Sequence, residues 1–187
     1  MEFHDALVTE VSLPALDKSL KMPASMTVKL LAEHFAETVS SSPARRAPKP
    51  WFASDFKLRI EGLDAECRQV VAIAAMSAKT GIVQHNLGSD RIDRIHPTKT
   101  GFSNLVLTLP GAGTPGADKA VAAFNRWFQE SVKGISAERR GSLEYLGPGG
   151  GRAYFRLDFS GLGIFKMTTM GKTQVETYCD SVSFSAL

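Results

Sequence analysis

The chain has 187 residues, of which 43% are hydrophobic, and its formal net charge at pH 7 is +3. This length fits one domain plus an extension, and the hydrophobic fraction supports a packed core, which excludes a disordered chain. No apolar run approaches the roughly 20 residues that a membrane-spanning helix needs, so we expect no membrane insertion. The mild positive charge is dispersed, whereas nucleic-acid-binding proteins usually concentrate basic residues on one face.

The N-terminus and the cysteines indicate where the protein is made. Residues 1–12 contain three acidic side chains and lack the basic start and apolar middle of a signal peptide. We therefore expect synthesis in the cytoplasm. Cys67 and Cys179 lie far apart in the sequence. In a cytosolic protein we expect such cysteines to be buried thiols without a structural disulfide.

Residues 1–50 differ in pattern from the rest and are predicted to form an N-terminal extension. Within it, Thr27–Val39 repeats apolar residues near helical spacing, which predicts a short amphipathic helix with Thr27 as the N-cap. The segment 40–50 contains three prolines, three serines and three basic residues. This composition predicts a Pro/Arg-rich linker or an extended arm, because proline cannot join a helix interior or a central strand.

Residues 51–187 are predicted to form the main β domain. Phe56, Leu58 and Ile60 alternate with charged residues, which predicts a strand with one wet face. The apolar run Gln69–Ala78 is predicted to be a strand because it is rich in β-branched residues, although a short helix is the alternative.

The polar segment Val83–Gly101 is predicted to be a long interface loop. Glycine and proline interrupt it, and loops of this length in compact domains are usually functional or disordered. Its mixed charges are candidate interface residues: Asp90, Arg91, Asp93 and Arg94.

One helix is predicted in the second half of the chain. Phe102–Leu109 is predicted to be a strand, and a helix follows from Thr114-Pro115, since proline fits the first helical turn. This helix carries an apolar stripe at three- and four-residue spacing and ends at a glycine. The stripe is expected to pack on the sheet: Val121, Phe124, Trp127, Phe128 and Val132.

The last third is predicted to be β. The glycine-rich segment 147–151 predicts a hairpin turn after a strand that begins near Glu138. Ala153–Phe159 alternates apolar and polar residues and is expected to continue to Met167, and Thr173–Phe184 is predicted to be the final strand. The polar face of the 153–159 strand places Arg156 and Asp158 among the candidate contact residues.

The motifs examined for catalysis, cofactors and metals fail on spacing or context. Gly171-Lys172-Thr173 lacks the upstream glycine of a phosphate-binding loop, because position 166 is lysine. The four histidines lack ligand spacing, and the two cysteines form no CxxC pair. A metal site from His85, His96, Asp90 and Asp93 is disfavoured against simple loop polarity. We therefore expect no enzyme activity, no cofactor and no metal.

The order of the elements from Trp51 to Leu187 resembles the tail tube family of contractile-tailed phages and of extracellular contractile injection systems. The resemblance rests on five segments, namely 56–63 (FKLRIEGL), 99–107 (KTGFSNLVL), 124–128 (FNRWF), 141–146 (GSLEYL) and 175–182 (VETYCDSV). They are similar to the opening strand, the strand before the helix, the helix with its tryptophan, the hairpin and the closing strand of that family.

This resemblance implies a mainly β (α+β) subunit, an antiparallel β-sandwich or barrel with one packed helix. It implies a homo-oligomer of hexameric rings that stack into the inner tube of a virion tail or injection particle. Sheath and baseplate proteins are then the expected partners, and DNA or cargo passes through the lumen without specific binding. The long loop after the second strand is expected to contact the neighbouring ring.

Other interpretations stay open at this point. The second interpretation is a ring protein like that of type VI secretion, and a tube initiator, a tube terminator or a baseplate component is a further alternative. A β-barrel protein that binds a small ligand is the alternative from another class. Lys57, Arg59 and Glu61, or Arg156 and Asp158, are candidates for a lumen-facing surface or for subunit contacts.

Overall fold

The computed structural model describes residues 2–36, 50–86, 93–135 and 138–186. Within them the chain is mainly antiparallel β with one long helix, so the predicted fold class is confirmed. The elements in chain order are β1 (Glu2–Leu13), β2 (Leu16–Asp17), β3 (Pro23–Ala24), β4 (Thr27–Ala36), β5 (Trp51–Phe52), β6 (Phe56–Ile60), α1 (Asp64–Cys67), β7 (Ala72–Ile73), β8 (Met76–Asn86), β9 (Asp93–Phe102), β10 (Leu105–Leu109), α2 (Ala117–Val132), β11 (Arg139–Leu146), β12 (Ala153–Met170), β13 (Lys172–Tyr178) and β14 (Ser181–Ala186).

The strands divide into two compact units. The first unit is a four-stranded sheet in the order β4-β1-β8-β9, here called sheet 1. The second unit holds the larger sheet β2-β7-β10-β13-β12-β11-β6, here called sheet 2, together with both helices. The two units draw on alternating stretches of the chain, so they do not follow the predicted division at residue 50.

The predicted helix over Thr27–Val39 is wrong within the described residues, because Thr27–Ala36 is strand β4. β4 pairs with β1, and this places Val28 opposite Val11 and Leu30 opposite Val8. Threonine, valine and leucine fit a pleated surface well, and a partner strand outweighs a weak helical periodicity. The linker residues 40–49 lie outside the described residues.

The predicted loop over Val83–Gly101 is also wrong for the residues that the structure describes. Val83–Asn86 belongs to β8 and Asp93–Gly101 belongs to β9, and the two strands pair from Ala78–Phe102 to Asn86–Asp93. The register shifts between Thr80 and Ile82. Most residues of this segment are polar, so the sequence lacks the alternation of apolar and polar residues from which a strand with one buried face is predicted.

Sheet 2 is strongly curved and nearly closed, like a barrel. The apolar alternation predicted at Phe56–Ile60 is confirmed, since Phe56, Leu58 and Ile60 are buried and the residues between them are exposed. The strand from Ala153 continues through Gly161 and Gly163 as predicted, and it ends at Met170 instead of Met167. β14 also pairs with β12 and belongs to this sheet. Residues from β6, β10, β11, β12 and β13 line the core, which includes Leu58, Leu107, Leu143, Leu157 and Val175.

The predicted final strand is observed as two consecutive strands, β13 and β14. β13 pairs with the second half of β12, with a register shift between Ile164 and Lys166, and β14 pairs with its first half. The interruption falls at Cys179 and Asp180, opposite Gly161, whose φ of 64° lies in the left-handed region. A Cβ at Gly161 would collide with the side chain of Asp180, so a glycine is required at this close approach.

Helix α2 supplies two of the three largest fully buried side chains of the core. Phe124 and Trp127 are fully buried, whereas Phe128 is half-buried and Val132 is exposed. The buried line of the helix also contains Ala117 and Ala120, whose small side chains allow close packing. The buried face of α2 is therefore rotated slightly from the predicted apolar stripe, in which Val132 was expected to lie in the core.

Arg139 links three parts of the second unit. Its Nη1 donates a hydrogen bond of 2.9 Å to the backbone oxygen of Glu61, and its Nη2 lies 3.5 Å from a carboxylate oxygen of Glu130. The guanidinium carbon also lies 5.0 Å from the centre of the Trp127 ring, within the range of a cation–π contact. Arg139 thus fixes the start of β11 to α2 and to the turn after β6.

Candidate assembly surface

The predicted loop contacts divide between described and undescribed residues. Asp90 and Arg91 lie outside the described residues. Asp93 and Arg94 lie at the start of β9, where their backbones are opposite Asn86 and His85. The part of the predicted interface that the structure describes is therefore a strand pair.

The other predicted pair, Arg156 and Asp158, lies on the outer face of sheet 2. Arg156 Nε donates a hydrogen bond of 2.9 Å to Asp158 Oδ2, and both side chains are about one-third exposed. Strand pairing aligns them with Lys57, Glu144 and the serines of β14. This face carries both charge signs and is partly exposed to solvent. Each ion pair on it therefore stabilises the fold only slightly, since solvent screens such pairs.

Sheet 1 has two chemically different faces. Successive residues of a strand point to opposite faces, and residues paired across strands share a face. One row across all four strands is apolar: Val28, Val11, Ala78 and Phe102. The adjacent row, on the opposite face, is Lys29, Glu10, Lys79 and Gly101.

The polar row is held by a shared carboxylate. Lys29 Nζ lies 2.7 Å from one oxygen of Glu10, and Lys79 Nζ lies 3.5 Å from the other. The hydrogen bond from Lys29 is the main cause that lowers the pKa of the Glu10 carboxyl below its usual value. Because one carboxylate bridges lysines on two neighbouring strands, it favours this register of β4, β1 and β8.

The apolar row remains open to solvent at both edges of sheet 1. Phe102 on β9 is 41% exposed, and Leu30 on β4, which shares this face, is 51% exposed. Val8 and Val28 are also exposed to a similar extent. A contiguous exposed apolar surface of this kind is typical of a site where another protein packs. Sequence reasoning missed this surface because it predicted β4 as a helix and β9 as a loop.

The two edges of sheet 1 run in opposite directions. All three strand pairs in the order β4-β1-β8-β9 are antiparallel. With four strands, β4 and β9 are therefore antiparallel to each other, and no strand among the described residues pairs with the outer side of either. Unpaired edges present free backbone N–H and C=O groups to any neighbouring strand.

The described residues offer little for chemistry. They contain no group of three or more histidine, cysteine or acidic side chains that could hold a metal ion. Burial raises the pKa of the Cys67 thiol to about 12, so this thiol is an inert core group at neutral pH. Among the described helices, none has the length and apolar character to cross a bilayer.

Comparison with known proteins gives structural likenesses alone. No protein-family model matches the chain, and no curated protein matches its sequence. The fold is similar to a chain in the tube-terminating cap of the anti-feeding prophage, with 13% identity over 80% of this chain and 98% of that chain, at a TM-score of 0.49. It is also similar to a chain of the anti-feeding prophage baseplate, with 10% identity over 100% of this chain and 98% of that chain, at a TM-score of 0.48.

A third likeness is to a chain of the sheath–tube complex of an extracellular contractile injection system, PVC, in its extended state. The identity is 10% over 71% of this chain and 88% of that chain, and the TM-score is 0.44. At these identities and TM-scores the likenesses carry no argument about the role of the chain, which has to come from its own geometry.

Proposed function

We propose that this chain is a structural subunit that joins copies of itself into a closed ring through sheet 1, and that such rings form part of the tube of a contractile particle. The observation that carries the proposal is the pair of open, antiparallel edges of sheet 1, with apolar side chains exposed at both. The family resemblance of the sequence agrees with this role.

Head-to-tail contact closes a ring naturally with these edges. Rotation about a ring axis keeps the strand directions of every copy, so β9 of one copy meets β4 of the next in antiparallel orientation. Phe102 then approaches Val28 and Leu30 of the neighbour on the same face. Such aromatic and β-branched pairs across strands stabilise a sheet, and closure removes the edges altogether.

A hexamer built this way has a definite size. Six copies contribute 24 strands, which at about 4.8 Å spacing and a tilt of roughly 35–45° give a barrel about 45–50 Å across its backbone. One face of that barrel carries the row of Lys29, Glu10 and Lys79, and the other carries the apolar row. The polar face suits a water-filled lumen through which DNA or cargo passes without specific binding.

The finer role within the particle is part of the same proposal. A repeating tube subunit would stack its rings, whereas an initiator, a terminator or a baseplate component would form a single ring. Sheath and baseplate proteins are the proposed partners, the assembled virion tail or injection particle is the proposed location, and no catalytic activity is proposed. The small-ligand alternative is disfavoured because Leu107, Leu143 and Ile164 lie fully buried in the core of sheet 2.

The test is to image purified protein by negative-stain electron microscopy and to compare Phe102→Lys with the wild type. We expect rings for the wild type and their loss in Phe102→Lys, because a lysine cannot pack beside Val28 and Leu30 of a neighbour. Val132→Lys is the matched control, since Val132 is an exposed apolar residue on α2, and this variant should keep the rings. Stacked rings would favour the repeating subunit, and isolated rings would favour a cap or baseplate role.

Both variants should retain the wild-type circular dichroism spectrum, because both replace exposed side chains. A wild-type protein that stays monomeric at all concentrations and salt conditions would overturn the proposal. Rings that persist in Phe102→Lys would show that the ring contact does not lie at the edges of sheet 1.

A further inference from the structure

The second unit also has an open edge, at strand β14. β14 pairs with the first half of β12, and no strand of the described residues pairs with its outer side. In an edge strand, alternate residues direct their backbone N–H and C=O groups away from the neighbour. β14 therefore offers a row of unmet hydrogen-bonding groups along Ser181–Ala186.

This edge differs from the other edges in charge. β4 carries Lys29, β9 carries Lys99, and β6, at one end of sheet 2, carries Lys57 and Arg59. Such charges restrict which strands can pair with an edge. Ser181–Ala186 reads Ser-Val-Ser-Phe-Ser-Ala, without a charge, a proline or a register shift against β12. The strand is thus regular and uncharged.

β14 also exposes an aromatic side chain. Phe184 is 52% exposed, and its ring stacks on Phe155 at a centroid distance of 5.3 Å. Phe155 in turn stacks on buried Tyr145 at 4.2 Å. Phe184 is therefore the solvent-exposed end of an aromatic row that runs into the core, and a side chain packed against it would extend that row.

We propose that β14 pairs antiparallel with β14 of a second copy of this chain about a two-fold axis. In such a pair the serines of both strands share one face, and Val182, Phe184 and Ala186 of both share the other. We place the axis at Ser183, so that Ser183 faces its own copy and Val182 faces Phe184. Because β14 carries no charge, no like charges meet across this axis. The absence of charge thus favours a second copy over a charged partner strand.

This contact goes beyond the proposed ring and is geometrically different from it. The ring contact is head-to-tail, whereas the β14 contact is symmetric and saturates at two copies. It therefore links two free subunits before a ring forms, or joins two rings face to face as a closed pair. The two contacts use different sheets, so they can be broken separately.

The experiment measures self-association by sedimentation velocity and amide hydrogen exchange of the full chain over a concentration series. It is done in the Phe102→Lys background, which removes the proposed ring contact. We expect a monomer–dimer equilibrium, with the amides of 182–186 exchanging about tenfold more slowly at the highest concentration. Ser183→Lys should weaken the dimer at least about tenfold, because it places two ammonium groups opposite each other.

Ser183 is exposed, so Ser183→Lys should fold like the parent protein. Phe184→Lys is the second variant, and Val132→Lys is the control that should leave the dimer unchanged. A monomer at all concentrations, or a dimer that survives both β14 variants, would overturn the proposal. Because the Phe102→Lys background removes the proposed ring contact, the dimer measurement does not depend on whether the wild-type protein forms rings.

Discussion

The two units of this protein use the same strand pattern in opposite ways. In β6 of sheet 2 the apolar residues at alternate positions are buried within the chain. In β4 of sheet 1 the residues Thr27–Leu30 are all exposed, although Val28 and Leu30 are as apolar as the residues of β6. Alternation therefore marks an apolar face, and it leaves open whether that face is covered within the same chain.

The comparison predicts that stability resides in the second unit. Trp127→Ala removes the largest fully buried side chain and should lower the free energy of unfolding by about 3–5 kcal/mol. The measurement is urea denaturation followed by circular dichroism. Val132→Ala on the same helix should change the value by less than about 0.5 kcal/mol, because Val132 is exposed. Equal losses in the two variants would contradict the placement of α2.

A smaller loss is expected from Arg139. Arg139→Met keeps much of the side-chain volume but removes the hydrogen bond to Glu61 and the charge above Trp127, which should cost about 1–2 kcal/mol. Denaturation measures this loss as well. Arg140→Met is the control, since Arg140 is exposed at the next position. A loss in Arg140→Met as large as that in Arg139→Met would show that Arg139 does not link the three elements.

The smallest effect should come from Glu10 in sheet 1. Its carboxyl pKa is lowered by the hydrogen bond from Lys29, so its contribution to stability is present above the ordinary value of 4.5. That contribution is lost as the pH falls through the lowered pKa of the folded state. Glu10→Gln should therefore lose the part of the acid dependence that belongs to sheet 1, as measured by thermal unfolding between pH 3 and pH 6. An unchanged pH profile in Glu10→Gln would rule out this contribution.

The sequence predicted the second unit well because its signals are local. Phe56, Leu58 and Ile60 alternate within five residues, and Phe124 with Trp127 marks one face of a helix. Sheet 1 was missed because its signals are not local. Whether Thr27–Ala36 is a helix or a strand is decided by β1, and the row of Glu10, Lys29 and Lys79 is visible only in the paired register.

The contact residues were harder to predict for the same reason. Arg156 and Asp158 could be placed on one face because they lie two positions apart on one strand, and their role as contact residues stays a prediction. Arg139 was missed, since its partners at Glu61, Trp127 and Glu130 are spread through the chain. The open edges of sheet 1 and of β14 are properties of strand order, and they require the topology.

The interleaving of the two units has a consequence for synthesis on the ribosome. The first strand, β1, can form its pair with β4 early, but sheet 1 is finished only once β9 has left the exit tunnel. Sheet 2 is completed later, since β2, β6 and β7 leave the ribosome well before β10–β13, with which they share a sheet. The edges of sheet 1 that we propose for the ring, unlike β14, thus form while the core is still being translated, when nascent chains on one messenger lie close together. Neighbouring ribosomes would then be the first place where two copies meet.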